Sequence, residues 1–83
     1  MNYILSKHAL EQAKIRTIPE RSIKEVAENP RKIIDYDECI KIYQSMIKLE
    51  KAYLLRVFIN TCKEPWVIIT IYKTSKIEKY HEG

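Results

Sequence analysis

The sequence of 83 residues is long enough for one folded domain and too short for separate cofactor-binding and substrate-binding domains. Hydrophobic residues make up 46% of the chain, and a single Gly with three Pro excludes a flexible or low-complexity protein. The formal net charge of +4 permits an anionic partner without requiring one. We therefore expect a single domain over residues 1–83.

Two helices are predicted in the first third of the chain. Ser6 is a typical N-cap, and apolar residues follow it at helical spacing, which predicts a helix over residues 7–16. Pro19 and Glu20 suit the first turn of a second helix, which an Asn-Pro pair at 29–30 ends.

The period of the apolar residues changes to two beyond residue 30, which predicts strands over 32–36, 39–47, 53–60 and 66–74. The short connections between these segments favour antiparallel hairpins. The expected fold is therefore α+β, with two N-terminal helices packed on one face of a four-stranded antiparallel sheet. The other face of that sheet is the expected place for a functional site.

Some classes of protein are excluded by what the sequence lacks. No segment approaches the roughly 20 apolar residues of a membrane span, and the first residues are too weakly apolar for a signal peptide. Cys39 and Cys62 have neither CxxC spacing nor a histidine pair, so no metal or other cofactor is expected. We expect a cytoplasmic protein without membrane contact, in which both cysteines are free thiols.

Alternation groups polar side chains on one face of each of the last three strands. If these faces coincide, they form one concave surface with a guanidinium and several hydroxyls, and Lys76 and Tyr80 reach it from the tail. Alternatively, this is the ordinary solvated face of an antiparallel sheet. The residues of the expected surface are Tyr43, Ser45, Arg56, Thr70 and Tyr72.

A second row of polar residues lies along the first helix, where His8, Gln12 and Arg16 recur at a spacing of four. Such a row can follow a chain of phosphates, or it can be the solvent-facing edge of an amphipathic helix. The polar string Lys73-Thr74-Ser75-Lys76 at the tip of the last strand likewise suits a phosphate backbone or is a solvated strand end.

The chemistry available to these residues is limited. The sequence has no Ser-His-Asp order, no Gly-rich phosphate loop and no pair of carboxylates placed for metal or glycoside work. RNA cleavage without a metal suits them, since the substrate supplies its own nucleophile, the 2′-hydroxyl. Such cleavage needs a base, a cation for the phosphate and an acid for the leaving oxygen. His8 suits the acid or base, whereas His81 lies in the tail and ranks below it.

Several strings of the chain resemble a small domain-of-unknown-function branch of the RelE/ParE-like toxin superfamily. They are Ser6-Lys7-His8-Ala9, the helix from Ile18 to Asn29-Pro30, Tyr43-Gln44-Ser45, the string over 69–76, and Lys79-Tyr80. The resemblance covers nearly the whole chain and implies a RelE-like fold and an RNA-cleaving toxin that an antitoxin neutralises. Two positions depart from the branch, which usually has a basic residue where Gln12 stands and a Gly where Thr17 stands.

The predicted function is a toxin of a toxin-antitoxin pair that acts as a metal-independent endoribonuclease on RNA, free or on the ribosome. One alternative is a non-enzymatic binding module or target inhibitor that uses the same basic face, and another is a subunit that docks a partner chain through a sheet edge. The residues assigned to catalysis are His8, Arg16, Arg56, Tyr72 and Lys76. The residues assigned to RNA binding are Tyr43, Ser45, Thr70, Thr74, Ser75, Lys79 and Tyr80.

Overall fold

Two helices and five strands make up the structure, a computed structural model that describes residues 2–77. The predicted site residues Lys79 and Tyr80, together with His81, lie outside the described residues. The elements in chain order are β1 (Tyr3–Leu5), α1 (Lys7–Ile15), α2 (Glu20–Glu28), β2 (Lys32–Asp35), β3 (Ile40–Lys48), β4 (Ala52–Asn60) and β5 (Trp66–Thr74).

The strands form one mixed sheet in the order β1-β5-β4-β3-β2. β1 runs parallel to β5, with Tyr3 beside Trp66, and the other neighbouring strands are antiparallel. The α+β class is confirmed, but the prediction of a four-stranded antiparallel sheet with both helices before all strands is wrong. β1 has only three residues and gains its strand geometry from β5 at the far end of the sequence, so local periodicity could not reveal it.

The capping signals explain where α1 begins and ends. The hydroxyl of Ser6 accepts a hydrogen bond from the backbone N–H of Ala9 at 3.1 Å, as expected of an N-cap. At the other end, the Ile18 N–H donates to the Ala13 carbonyl, and the Thr17 N–H donates to the Lys14 carbonyl. This pair of hydrogen bonds is a Schellman motif, which ends a helix with one residue in the left-handed conformation.

Both helices cover the same face of the sheet and bury its central side chains. From α2, Ile23, Val26 and Ala27 are at most 1% exposed, and their spacing places them on one side of the helix. Burying one aliphatic side chain of this size stabilises the fold by about 1.5–3 kcal/mol, so this layer holds the helices on the sheet. The strand residues beneath them are Tyr43, Leu55, Val57, Ile59, Ile68 and Ile71.

A bulge in β5 changes which residues face the helices. Phe58 pairs with Thr70 and Ile59 pairs with Ile68, so Ile69 is the extra residue. Because of this insertion, the side chains of Ile68 and Ile71 both lie in the core despite an interval of three. The hydroxyl of Ser6 donates to the Ile69 carbonyl at 3.1 Å, which ties the start of α1 to the bulge.

The cysteines form a disulfide between Cys39 and Cys62, so the prediction of free thiols is wrong. The two residues flank the end of the β3–β4 hairpin opposite its turn, and their separation of 23 residues concealed this proximity. In the chain-entropy description, closing a loop of this length stabilises the folded state by about 3 kcal/mol. Within residues 2–77, no helix is long and apolar enough to cross a membrane.

Replacement of Thr17 by Gly should stabilise the protein. Thr17 has a φ of 53°, where a β-branched side chain crowds the backbone and a Gly does not. We expect Thr17→Gly to raise the free energy of unfolding by about 1 kcal/mol, measured by urea denaturation. Thr17→Ala is the matched control, since it keeps the Cβ atom and should give a much smaller gain. Equal gains for Gly and Ala would show that the backbone conformation is not the cause.

Candidate functional site

Three adjacent strands align polar side chains on the side of the sheet that turns away from the helices. Gln44 of β3 pairs with Arg56 of β4, and Arg56 pairs with Tyr72 of β5. Paired residues project to the same side, with Cβ atoms about 4.5–5.5 Å apart. Their neighbours along β4, Leu55 and Val57, point the other way into the core under the helices. We call the surface that carries Gln44, Arg56 and Tyr72 the uncovered face.

The guanidinium of Arg56 is held in place by its neighbours on this face. Its Nε donates to Oε1 of Gln44 at 3.1 Å, and Gln44 is only 4% exposed. Its Cζ atom also lies 5.7 Å from the centre of the Phe58 ring, within the range of a cation–π contact. A half-buried guanidinium with a fixed orientation loses little side-chain entropy when it binds an anion.

A second guanidinium reaches the same face from α1. Arg16, the C-cap residue of that helix, lies with its Cζ atom 5.7 Å from the centre of the Tyr72 ring. Its Nε donates to Oε1 of Gln12 at 3.0 Å, so two members of the predicted helix row are in direct contact. Tyr72 therefore has two arginine neighbours: Arg16 contacts its ring, and Arg56 is its partner on the adjacent strand.

The charged strand residues on the uncovered face are all cationic. By register, Lys32, Lys48 and Arg56 project to this side. Asp35, the one acidic residue in the strands of residues 2–77, projects to the side of the helices and pairs with Lys41, whose pKa this hydrogen bond raises. Lys73 also projects to that side, since it pairs with Leu55. The uncovered face therefore carries strand cations without a strand carboxylate, which favours an anionic ligand there.

The structure brings some of the predicted sheet residues together and separates others. Arg56, Thr70 and Tyr72 share the uncovered face, as the alternation predicted. Tyr43 and Ser45 do not, because they pair with core residues of β4 and point towards the helices. Tyr43 is 8% exposed within the core cluster, so the expectation that all three polar faces coincide is wrong for β3.

Sequence reasoning missed Gln44, which occupies the position beside Arg56 that Tyr43 and Ser45 were expected to share. The signal that could have found it is the β3–β4 turn, because the pairing of Lys48 with Ala52 fixes the register of the whole hairpin. Counting back from that turn places Gln44 opposite Arg56.

The other predicted residues within the described chain lie on α1 or at the end of β5. His8 is exposed in the first turn of α1, two helical turns before Arg16. Thr74 is 8% exposed, and its hydroxyl accepts a hydrogen bond from the backbone N–H of Lys76, so it shapes the turn after β5. Ser75 and Lys76 themselves are exposed beyond that strand.

Another polar cluster lies at the β3–β4 turn, away from the row on the uncovered face. The phenol of Tyr53 donates to the carboxylate of Glu50, which raises the pKa of Tyr53 and lowers that of Glu50. Lys73 lies with Nζ 4.5 Å from the centre of the Tyr53 ring. Because Glu50 offsets the neighbouring lysines, this cluster is a poorer site for an anion than the row on the uncovered face.

The arrangement at Arg16, Tyr72 and Arg56 suits the binding of a phosphate group. Two guanidiniums offer planar sets of donors, and the phenol ring of the neighbouring Tyr72 can contact a flat, uncharged group. Residues 2–77 contain no cluster of His, Cys, Asp or Glu that could hold a metal ion.

The chain belongs to the DUF4258 family, described as a domain of unknown function, whose sequence profile matches residues 5–73. The matched range includes both helices and Arg16, Arg56 and Tyr72. Comparisons with curated proteins and with solved structures found no match to the chain.

Replacement of Gln44 by Leu should release the Arg56 guanidinium from one of its acceptors. Leu fills a similar volume, so its apolar burial offsets part of the lost hydrogen bond, and we expect a stability loss of at most about 1 kcal/mol. The NMR signal of the Arg56 Nε–H should then exchange faster with water. Gln12→Leu is the matched control, because it removes the exposed acceptor of Arg16 and should leave the Arg56 signal unchanged. An unaltered Arg56 signal in Gln44→Leu would contradict this positioning role.

Proposed function

We propose that this DUF4258 domain is the toxin of a toxin-antitoxin pair and that it cleaves RNA without a metal ion. The observation that carries the proposal is that Arg16 contacts the Tyr72 ring and Arg56 is the strand partner of Tyr72, on a face whose charged strand residues are all cationic. RNA presents repeated phosphates, and its bases can stack on a phenol ring.

The substrate in this reaction supplies its own nucleophile. The 2′-oxygen attacks the adjacent phosphorus, a bond forms between them, and the bond from phosphorus to the 5′-oxygen of the next nucleotide breaks. A base takes the proton of the 2′-hydroxyl, and an acid gives a proton to the leaving 5′-oxygen. The products are a 2′,3′-cyclic phosphate and a 5′-hydroxyl.

Each assigned residue has a role in this proposal. Arg16 and Arg56 hold the phosphate and offset the charge that develops on its oxygens. His8 is the acid or base, because an imidazole ring can both accept and donate a proton. Tyr72 orients a nucleobase next to the reacting phosphate. Lys76 contacts a neighbouring phosphate from its place after β5.

The proposed toxin function also implies a partner protein and a cellular location. The resemblance of residues 69–76 and of the His-Ala helix to RelE/ParE-like toxins supports an antitoxin partner, and the exposed Leu10 and Ile15 on α1 offer it apolar contacts. RNA as the substrate supports a cytoplasmic location. Reducing conditions there would open the Cys39–Cys62 bridge, so the fold must tolerate its dithiol form.

A second candidate function is RNA binding without cleavage, and the position of His8 favours it. At the rise of an α-helix, His8 lies about 12 Å along the axis of α1 from Arg16. Gln12 fills the turn between them and is bonded to Arg16. A binding module needs only the guanidiniums and rings of the uncovered face, whereas cleavage also requires His8 to reach the phosphate that they hold.

The two functions can be separated by incubating the purified protein with total RNA in EDTA. Cleavage should give fragments with 2′,3′-cyclic phosphate ends. His8→Ala should slow it at least about 100-fold, the scale of an acid–base contribution. Arg56→Ala should slow it at least about 100-fold, the scale of one donor that stabilises developing charge. Arg21→Ala is the matched control, because this exposed arginine lies on α2, across the sheet from Arg56, and its loss should leave the rate unchanged.

Cleavage that persists in both Arg56→Ala and His8→Ala would contradict the proposed mechanism. RNA bound without any cleaved product would favour the binding module instead. In that case the logarithm of the affinity should fall with the logarithm of the salt concentration, and Arg56→Ala should reduce the slope by about one.

A further inference from the structure

An aromatic pair, exposed Tyr36 and half-buried Phe58, lies on the uncovered face beyond Arg56. Tyr36, the residue after β2, is 67% exposed, and its ring meets that of Phe58 edge to face with a centroid distance of 6.4 Å. Phe58 follows Arg56 by two residues in β4 and therefore projects to the same side of the sheet. Phe58 pairs with buried Ile42 on this side of the sheet, but neither ring belongs to the core cluster under the helices, and Tyr36 stays accessible to a ligand.

This pair extends the guanidinium site into a row of alternating rings and cations. The ring centres of Tyr36 and Phe58 lie 6.4 Å apart, and the Arg56 Cζ atom lies 5.7 Å from the Phe58 ring centre. Arg56 is the strand partner of Tyr72, and the Arg16 Cζ atom lies 5.7 Å from the Tyr72 ring centre. The row crosses the sheet from the β2 edge to the end of α1. Its pattern differs from a general basic patch, because each cation has a ring beside it.

The local backbone holds Tyr36 in position. The Tyr36 N–H donates to the Ile40 carbonyl at 3.0 Å, and the Asp37 carboxylate accepts from the N–H groups of Cys39 and Ile40. The disulfide from Cys39 to Cys62 ties the same turn to the end of β4. A ring on a braced turn loses little backbone entropy when a ligand stacks on it.

Single-stranded nucleic acid has the chemistry that matches this row. Its unpaired bases stack on aromatic rings while its phosphates pair with guanidiniums, whereas a duplex hides the faces of its bases. We propose that Tyr36 and Phe58 are a base-stacking site that binds single-stranded RNA next to the phosphate held by Arg56. This inference rests on RNA binding in the proposed function and adds the strandedness of the substrate and the path of its chain.

A protein ligand is the main competing occupant of this aromatic pair. The charge of the surface favours nucleic acid, because every charged strand residue on the uncovered face is a cation and Arg56 lies against the Phe58 ring. A peptide would meet the same rings, but it would not offer phosphates at the spacing of the guanidiniums.

The test compares two labelled probes of eight nucleotides by fluorescence anisotropy with the full chain: single-stranded RNA, and the same backbone without bases. Tyr36→Ala should weaken binding of the RNA by about 10-fold, the scale of one stacked base, and leave binding of the abasic probe unchanged. Ile33→Ala is the matched control, since Ile33 is exposed nearby on β2 but projects to the side of the helices. Duplex RNA of the same sequence should compete poorly.

The outcomes separate this inference from the proposed function. Equal binding of RNA and abasic probe by the wild type, or no loss in Tyr36→Ala, would overturn the stacking site while leaving the phosphate site and the nuclease intact. Stacking-dependent binding with no cleavage in EDTA would support the inference and remove the nuclease. No binding of either probe would overturn both, and Tyr36 would then be assigned to contact with a protein.

Discussion

The packing of both helices on one face of the sheet is the interaction on which the rest of the structure depends. It buries Leu55 and Val57 of β4 and so forces their alternating neighbour, Arg56, to the opposite side. The bulge at Ile69 lets Ile68 and Ile71 of β5 face the helices while Tyr72 faces away from them. The hydrogen bond from the Ser6 hydroxyl to the Ile69 carbonyl links the start of α1 to β5. The uncovered face is thus a geometric consequence of how the core is filled.

Local signals in the sequence predicted much of this fold. The observed helices begin and end within two residues of the prediction, because Ser6 and Pro19 mark their starts through backbone chemistry that acts over one turn. β1 could not be predicted in this way, since three residues carry no period and its partner lies more than 60 residues away. The Cys39–Cys62 bridge could not be predicted either, because the two cysteines meet only through the register of the β3–β4 hairpin and are 23 residues apart in the sequence.

The candidate site was predicted only in part, because local alternation does not determine which side of a strand faces the helices. Alternation divides each strand into two sets of side chains, but it does not say which set faces the helices. In β3 the set with Tyr43 looks polar and the set with Ile42 looks apolar, yet the core takes the Tyr43 ring and the other set supplies Gln44 to the uncovered face. Arg56 and Tyr72 were placed correctly, because their own strands have one clearly apolar set.

The most direct test of the account is an NMR titration of the labelled protein with a single-stranded RNA oligonucleotide. If the uncovered face binds RNA, shift changes should concentrate there, with the Arg56 Nε–H and the backbone amides around Phe58 and Tyr72 affected most. The amides of α2, on the other side of the sheet, should stay unchanged. Shift changes centred on α2, or none at an RNA concentration that saturates anisotropy, would contradict the claim that this face binds RNA.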